Sequence, residues 1–195
     1  MAQITGRVRL PIAFDSAALR ADANALPATA WEAHFNRALY RNEWSGVALR
    51  GRQAAGLYTD PHGNSPVRDT PWLERCPNVR AALALISCEM TAVRFLRVGA
   101  GSAILEHRDY DLTEASGEAR LHVCVQTNES VRFLLDGDAV PMYPGSCWYL
   151  DVSRPHSVTN DGESARIHLV LDCIFNDWLR EMMETAVIPG QNDVD

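Results

Sequence analysis

The run Ile104–Leu112, ILEHRDYDL, places His107 two residues before Asp109. On an extended chain such residues share a face and lie about 6.6 Å apart, so an imidazole and a carboxylate can converge on one ion. The pair is weak alone: with 25 acids in 195 residues, any histidine meets an acid two positions on about one time in eight. A third ligand strengthens it. His156 lies in SRPHSVTNDG, just after SCWYLDV, a run of strand character. Two histidines and one carboxylate on one side of a metal leave positions open on the other, which suits non-haem Fe(II) and its activation of O2. Arg166, beyond the turn residues Asn160–Gly162, adds a cation. A 2-oxo acid chelates iron through its oxo group and C1 carboxylate. 2-Oxoglutarate then keeps a C5 carboxylate that needs a buried cation, and Arg offers a bidentate fork that Lys lacks. Fe(II), Asp109, the dianionic cosubstrate and Arg166 together carry no net charge, which favours their burial.

These residues must be held by strands. AVRFLRV, SAILEH, RLHVCVQT, VRFLLD, SCWYLDV and ARIHLVLDCI are short runs rich in β-branched and aromatic residues, separated by GAG, NES, DGD and NDG. Such spacing predicts an all-β sandwich or barrel. Alternation puts Arg120, His122, Cys124 and Gln126 on one face of RLHVCVQT, and Arg166, His168, Val170 and Asp172 on one face of ARIHLVLD. Arg and His in those places fit a polar, anion-binding interior. The opposite faces, Leu121, Val123 and Val125, and Ile167, Leu169 and Leu171, need apolar cover, which the helices can supply. Helices are predicted over DSAALRADANAL with Asp15 as N-cap, over about Asn78–Met90, and over NDWLREMMETA. TAWEAHFN and GVALRGR read as strands around a turn at Asn42–Gly46, TDPHGNSPVRDTP as a loop, and the last residues as frayed.

The whole composition agrees. At 195 residues the chain is expected to form one domain over 1–195, its core about 92–173. It is 47% hydrophobic and 22% charged, with net charge −7, so a basic nucleic-acid footprint is not expected. No run approaches the roughly 18 apolar residues of a membrane span. The N-terminus reads as no signal peptide. Five cysteines without a CxxC fit reduced, buried thiols and a cytoplasmic location.

The run from Arg94 to Asp172, with ILEHRDYD, RLHV, GSCWYLD, PHSVTN and ARIHLVLD in that order, resembles the aspartyl/asparaginyl β-hydroxylase family, with weaker similarity through WEAHFNRALYRNEWSGVALRG. It looks closer to the HxD-bearing bacterial branch that includes the free proline hydroxylases, though it is expected to lack the C-terminal helical extension associated with them. The resemblance implies a mainly β fold with flanking helices around a double-stranded β-helix (jelly-roll, cupin-like) core. It implies an Fe(II)- and 2-oxoglutarate-dependent dioxygenase that hydroxylates an unactivated C–H of an amino acid, free or within a peptide or carrier-bound intermediate. Succinate and CO2 would be coproducts, and ascorbate an activator in vitro. Residue by residue, it makes His107, Asp109 and His156 the metal ligands and Arg166 the partner of the C5 carboxylate. It gives His122 a cosubstrate contact and Arg120 and Arg94 substrate contacts. Trp148 is expected to contact substrate as well. His168 reads as a satisfied barrel histidine, His34 and His62 as structural or exposed, and Trp31, Trp44 and Trp72 as packing residues, one of which can line the pocket mouth.

Two other classes compete. A cupin-like metalloenzyme acting without 2-oxoglutarate would not need Arg166. A non-catalytic jelly-roll binding module would need neither the ligand triad nor the arginine.

Overall fold

A computed structural model describes residues 6–52 and 65–186. Thirteen strands run β1 (Arg7–Ala13), β2 (Glu32–Ala33), β3 (Tyr40–Arg41), β4 (Trp44–Gly51), β5 (Arg68–Asp69), β6 (Met90–Val98), β7 (Ser102–His107), β8 (Glu118–Gln126), β9 (Val131–Leu135), β10 (Asp138–Ala139), β11 (Ser146–Leu150), β12 (His156–Asn160) and β13 (Arg166–Ile174). The helices are α1 (Ser16–Ala25), α2 (Pro71–Glu74), α3 (Pro77–Leu83) and α4 (Asp177–Glu184). One sheet has the order β1-β11-β8-β13-β6-β4-β2, with β5 on β4; the other has the order β10-β9-β12-β7-β3. The paired strands are antiparallel. This is the two-sheet, all-antiparallel architecture that the strand pattern predicts and the jelly roll that the family resemblance implies. No helix among the described residues is long and apolar enough to cross a membrane.

The two faces of the larger sheet do different work. Leu121, Val123, Val125, Ile167, Leu169 and Leu171 are buried in a cluster that includes Leu19 and Ala23 of α1, Val79 and Leu83 of α3, and Leu179 and Met183 of α4. Their removal from water is the main stabilising contribution, at roughly 1.5–3 kcal/mol per large side chain. The other faces of β8 and β13 turn inward with Arg120, His122, Arg166, His168 and Asp172. A second apolar cluster, which includes Trp44, Ile104, Phe133, Leu135, Trp148 and Val158, closes the rest of the interior.

Local chemistry sets the helix ends. The Asp15 carboxylate accepts from Ala18 N at 3.0 Å, capping α1 where the sequence places its cap. Asp22, buried in α1, accepts from Val79 N at 2.8 Å and from Asn78 Nδ2 at 2.7 Å, so one helix caps the next. Asn176 accepts from Leu179 N at 3.0 Å and starts α4.

Several expected boundaries move. The helix expected over Asn78–Met90 ends at Leu83. Leu85 N and Ile86 N bond three residues back, at 3.1 and 3.2 Å, and Met90 begins a strand that pairs with both β13 and β4. The sheet outweighs helix propensity there. TAWEAHFN supplies a short 3-10 turn at Ala28–Ala30 and only the two-residue β2. The turn before β4 is tighter than expected: Asn42 alone takes a left-handed backbone, with φ 61°, and the strand resumes at Trp44. β1 carries Pro11, which reads against a strand. It forms an edge strand whose register shifts between Arg9 and Ala13, where a residue without N–H is tolerated. His62 and part of the loop around it, and the last residues of the chain, lie outside the described residues.

Candidate metal centre and anion site

β7 ends at His107 and β12 begins at His156, and the two residues stand directly opposite in the ladder. Their ring centroids are 4.2 Å apart. Past β7 the chain leaves the sheet, and Asp109 N donates to Val152 O at 2.9 Å, which turns the carboxylate back. His107 Nε2 and Asp109 Oδ1 are 3.8 Å apart, and one donor atom from each of the three residues lies within 4.8 Å of the others. Two donors about 2.1 Å from one ion can stand up to about 4.2 Å apart, so the group is near ligating geometry.

The tautomers suit that role. His107 Nδ1 bonds to Leu105 O at 2.8 Å and His156 Nδ1 to Arg154 O at 3.0 Å. A carbonyl only accepts, so each Nδ1 carries a proton, which leaves Nε2 as the nitrogen that can turn to an ion. Burial pushes His156 down to about 4, keeping it neutral at pH 7. Burial pulls the Asp109 carboxyl up, but Arg120 foremost and then the two histidines outweigh it, and the net direction is downward. An ionised carboxylate and a neutral imidazole are the forms a metal takes.

Behind the ligands lies a chain of charges. Arg120 bonds to Asp109 and, through Nε at 2.6 Å and Nη2 at 3.0 Å, to Asp172. Arg94 also donates to Asp172. Burial alone would raise Asp172, but the two guanidiniums hold it well below the usual carboxylate range. Arg120 is thus committed to carboxylates of the protein. Among the described residues Arg94 bonds through Nη2 only, which leaves Nε and Nη1. These groups line a cavity of about 340 Å³ with the aromatic residues His34, Trp44 and Tyr110. His34 stacks on Trp44 at 3.5 Å, and Trp44 stands 5.8 Å from His107.

Arg166 is different. It is 2% exposed, and among the described residues no carboxylate pairs with it. Nη2 donates to His168 Nδ1 at 2.8 Å, the plane lies over Phe133 at 5.7 Å, and Nε has no partner. Burial lowers it to about 10. Both ring nitrogens of His122 are also buried without a partner. Burial, then the Arg166 and Arg120 charges, push His122 far below its ordinary value. Unsatisfied buried groups cost about 1–3 kcal/mol each. An uncompensated cation beside open donors is the site an anion completes, so these residues fit a carboxylate.

The structure therefore brings together His107, Asp109, His156, Arg120 and Arg94, with His122 and Arg166 in the adjoining interior. Trp148, expected to contact substrate, is 1% exposed in the second core cluster, and its Nε1 donates to Ser146 Oγ at 3.1 Å. It lines neither this cavity nor the one beside Arg166, because its place on β11 beside His122 faces packed interior. Asp172 and His34 belong to the site although their types alone did not single them out. The signal for Asp172 was its period-2 register with Arg166 and His168. His34 gave no local signal, and it joins the wall because His34 N bonds to Trp44 O at 2.8 Å.

A double-stranded β-helix with two histidines and an aspartate at its mouth defines a class of metal-binding jelly rolls. The profile of the Aspartyl/Asparaginyl beta-hydroxylase family matches residues 14–175, and the chain belongs to that family. It is similar to the L-proline cis-4-hydroxylase of Rhizobium meliloti (strain 1021), at 27% identity over 168 residues, 83% of this chain. The chain spans 58% of the length of that relative. Among solved structures it resembles an oxidoreductase of the 2OG-Fe(II) oxygenase family from Burkholderia pseudomallei, with TM-score 0.54 and 16% identity over 88% of this chain and 86% of that one. A Pseudomonas putida prolyl-4-hydroxylase gives TM-score 0.51 and 14% identity, over 88% and 94%. At those identities the shared feature is the fold.

Proposed function

We propose that this protein is an Fe(II)- and 2-oxoglutarate-dependent dioxygenase that hydroxylates an unactivated C–H of an amino acid, free or within a peptide or carrier-bound intermediate. The observation that carries the reading is Arg166, with no carboxylate partner among the described residues, beside His122, whose ring nitrogens are buried without a partner, in the same barrel as a His-Asp-His group whose donor atoms lie within 4.8 Å of one another. His107, Asp109 and His156 hold the metal. Arg166 takes the C5 carboxylate of 2-oxoglutarate, and His122 donates to the bound cosubstrate. Bound Fe(II), with 2-oxoglutarate and O2, supplies the oxidising power, leaving succinate and CO2.

The remaining residues bind and orient. Asp172 locks Arg120 against Asp109, which keeps the carboxylate ionised and aimed. Arg94, with Nε and Nη1 to spare, is the better holder of a substrate carboxylate. Arg94, Arg120 and Asp172 together leave one positive charge, which one carboxylate cancels. The aromatic wall of Trp44 and His34 takes the apolar part of the substrate and excludes water. The five free, buried thiols support a reducing cytoplasm.

The test is succinate formation from 2-oxoglutarate by purified protein with Fe(II), ascorbate and air, across a panel of L-amino acids. L-Proline comes first, since the curated relative is named for it. Stimulation by one amino acid is the expected result. Succinate without stimulation moves the search to peptide- or carrier-bound substrates. No succinate and no anaerobic binding of 2-oxoglutarate would overturn the reading and favour a cupin-like metalloenzyme.

A further inference from the structure

The five cysteines take no part in the chemistry described above, and they are not alike. Burial pushes Cys76 and Cys147 up to about 12 and Cys124 up to about 11, so these thiols stay protonated and inert. Cys88 is the exception. It stands in the bend between α3 and β6, whose backbone is tied to the end of β13 on both sides of it. Asn176 Nδ2 donates to Ser87 O at 2.8 Å, and Ile174 N donates to Glu89 O at 2.8 Å. Cys173 pairs with Met90 in the ladder, so the two cysteines belong to adjoining segments, and both lie in the helix-covered cluster. Their thiols hydrogen-bond to each other. The bond from Cys173 lowers Cys88 against the opposing pull of burial, and the same bond, with burial, raises Cys173.

Access differs as well. Cys173 is fully buried, whereas Cys88 is 7% exposed and lines a groove with Arg50, Arg68 and Glu89. That groove shares no lining residue with the metal-side cavity. One thiol ionises readily and meets the surface, and the other lies behind it, which is the order of an attacking and a resolving cysteine. Cys173 also follows Asp172 directly, and the β13–β6 register slips between these two residues. Cys173 packs under the helices, while the Asp172 carboxylate holds Arg94 and Arg120. A disulfide draws two sulfurs closer than a hydrogen bond does, so it would pull Cys173 toward the bend and move Asp172 with it.

We propose that Cys88 and Cys173 form a dithiol that hydroperoxides oxidise, and that closing their disulfide loosens the hold of Asp172 on Arg94 and Arg120. The Cys88 sulfur attacks one peroxide oxygen, the O–O bond breaks, and the other oxygen leaves as water, giving a sulfenic acid at Cys88. The Cys173 sulfur then displaces the hydroxyl, which leaves as a second water with the Cys173 proton. Two thiols lose two electrons and one peroxide gains them. The thiol chemistry stands apart from the metal reading. Its consequence for the site rests on that reading, because Arg120 in turn holds Asp109.

The test treats the full chain, with a chelator keeping metal out, with hydrogen peroxide, followed by catalase and thiol counting after denaturation. Free thiols should fall by two from five, and peptide mapping without reductant should join Cys88 to Cys173. In Cys173→Ala, dimedone should trap a sulfenic acid at Cys88 at least about tenfold faster than at any other cysteine. Melting curves check that the variant folds, and the unaltered chain decides the matter if it does not. No loss of thiols, a different pair, or loss spread over all five would overturn the dithiol. The oxidised chain, freed of chelator under argon, is then titrated with Co(II) beside chain re-reduced with dithiothreitol and desalted. Oxidation should weaken Co(II) binding by about threefold or more, and re-reduction should restore it. Equal affinities would overturn the link to the site. Absence of Co(II) binding by the reduced chain would overturn the ligand reading and that link together, while the thiol count still judges the dithiol.

Discussion

Arg166→Met should stabilise the empty protein and cripple its binding of 2-oxoglutarate. Methionine keeps an unbranched, adaptable side chain in the space and removes the charge. The guanidinium is 2% exposed, and burial lowers it to about 10, a gap worth about 3 kcal/mol at about 1.4 kcal/mol per pH unit. Losing the bond to His168 Nδ1 returns about 1 kcal/mol, so the metal-free variant should gain about 2 kcal/mol. The ligand loses two charge-assisted hydrogen bonds of about 1.5–3 kcal/mol each, or on the order of 100- to 10,000-fold in Kd. Urea denaturation of the metal-free protein reads the first effect. Anaerobic titration of the Fe(II)-loaded protein with 2-oxoglutarate reads the second. A variant that loses several kcal/mol while binding 2-oxoglutarate normally would refute the reasoning, because Arg166 would then be a structural cation.

Asp172→Asn leaves Arg94 and Arg120 without their shared carboxylate and should cost about 3 kcal/mol in urea denaturation, since a buried pair is broken from one side. Asp109→Ala should fold, because Arg120 keeps Asp172, and should weaken Fe(II) or Co(II) binding by about 100-fold or more in a direct titration; unchanged affinity would remove Asp109 from the ligand set. In the metal-free protein His34 and His156 are both lowered to about 4, chiefly by burial. The unfolded chain therefore binds protons first as pH falls below about 6.5, and the stability these two histidines contribute should decline from there until about pH 4. His34→Phe should make that decline shallower between the same limits, and an unaltered slope would count against a buried neutral imidazole at His34.

The strands that carry the site were legible because strand chemistry is local. β-Branched and aromatic runs between turn residues mark β6 to β9 and β11 to β13, and period-2 alternation already separated the Arg and His face of β8 and β13 from the leucine and valine face. The candidate metal-binding group could be picked out as His107, Asp109 and His156, because few side chain types bind such a metal, and the fold brings these three within 4.8 Å of one another. Other features depend on partners distant in sequence. Whether Met90 is helix or strand was settled by β13, whose Cys173 pairs with it. Whether Trp148 touches substrate or fills the core depended on which way β11 faces beside β8. The partner of each arginine was likewise invisible in one dimension: Arg94 and Arg120 share Asp172, while Arg166 has no carboxylate among the described residues. The sequence by itself determined which groups are present and which share a strand face, because side-chain alternation follows from the backbone. Tertiary structure alone decided which charges neutralise one another and which stands open for a ligand, because Coulomb pairing depends on distances set by strand register.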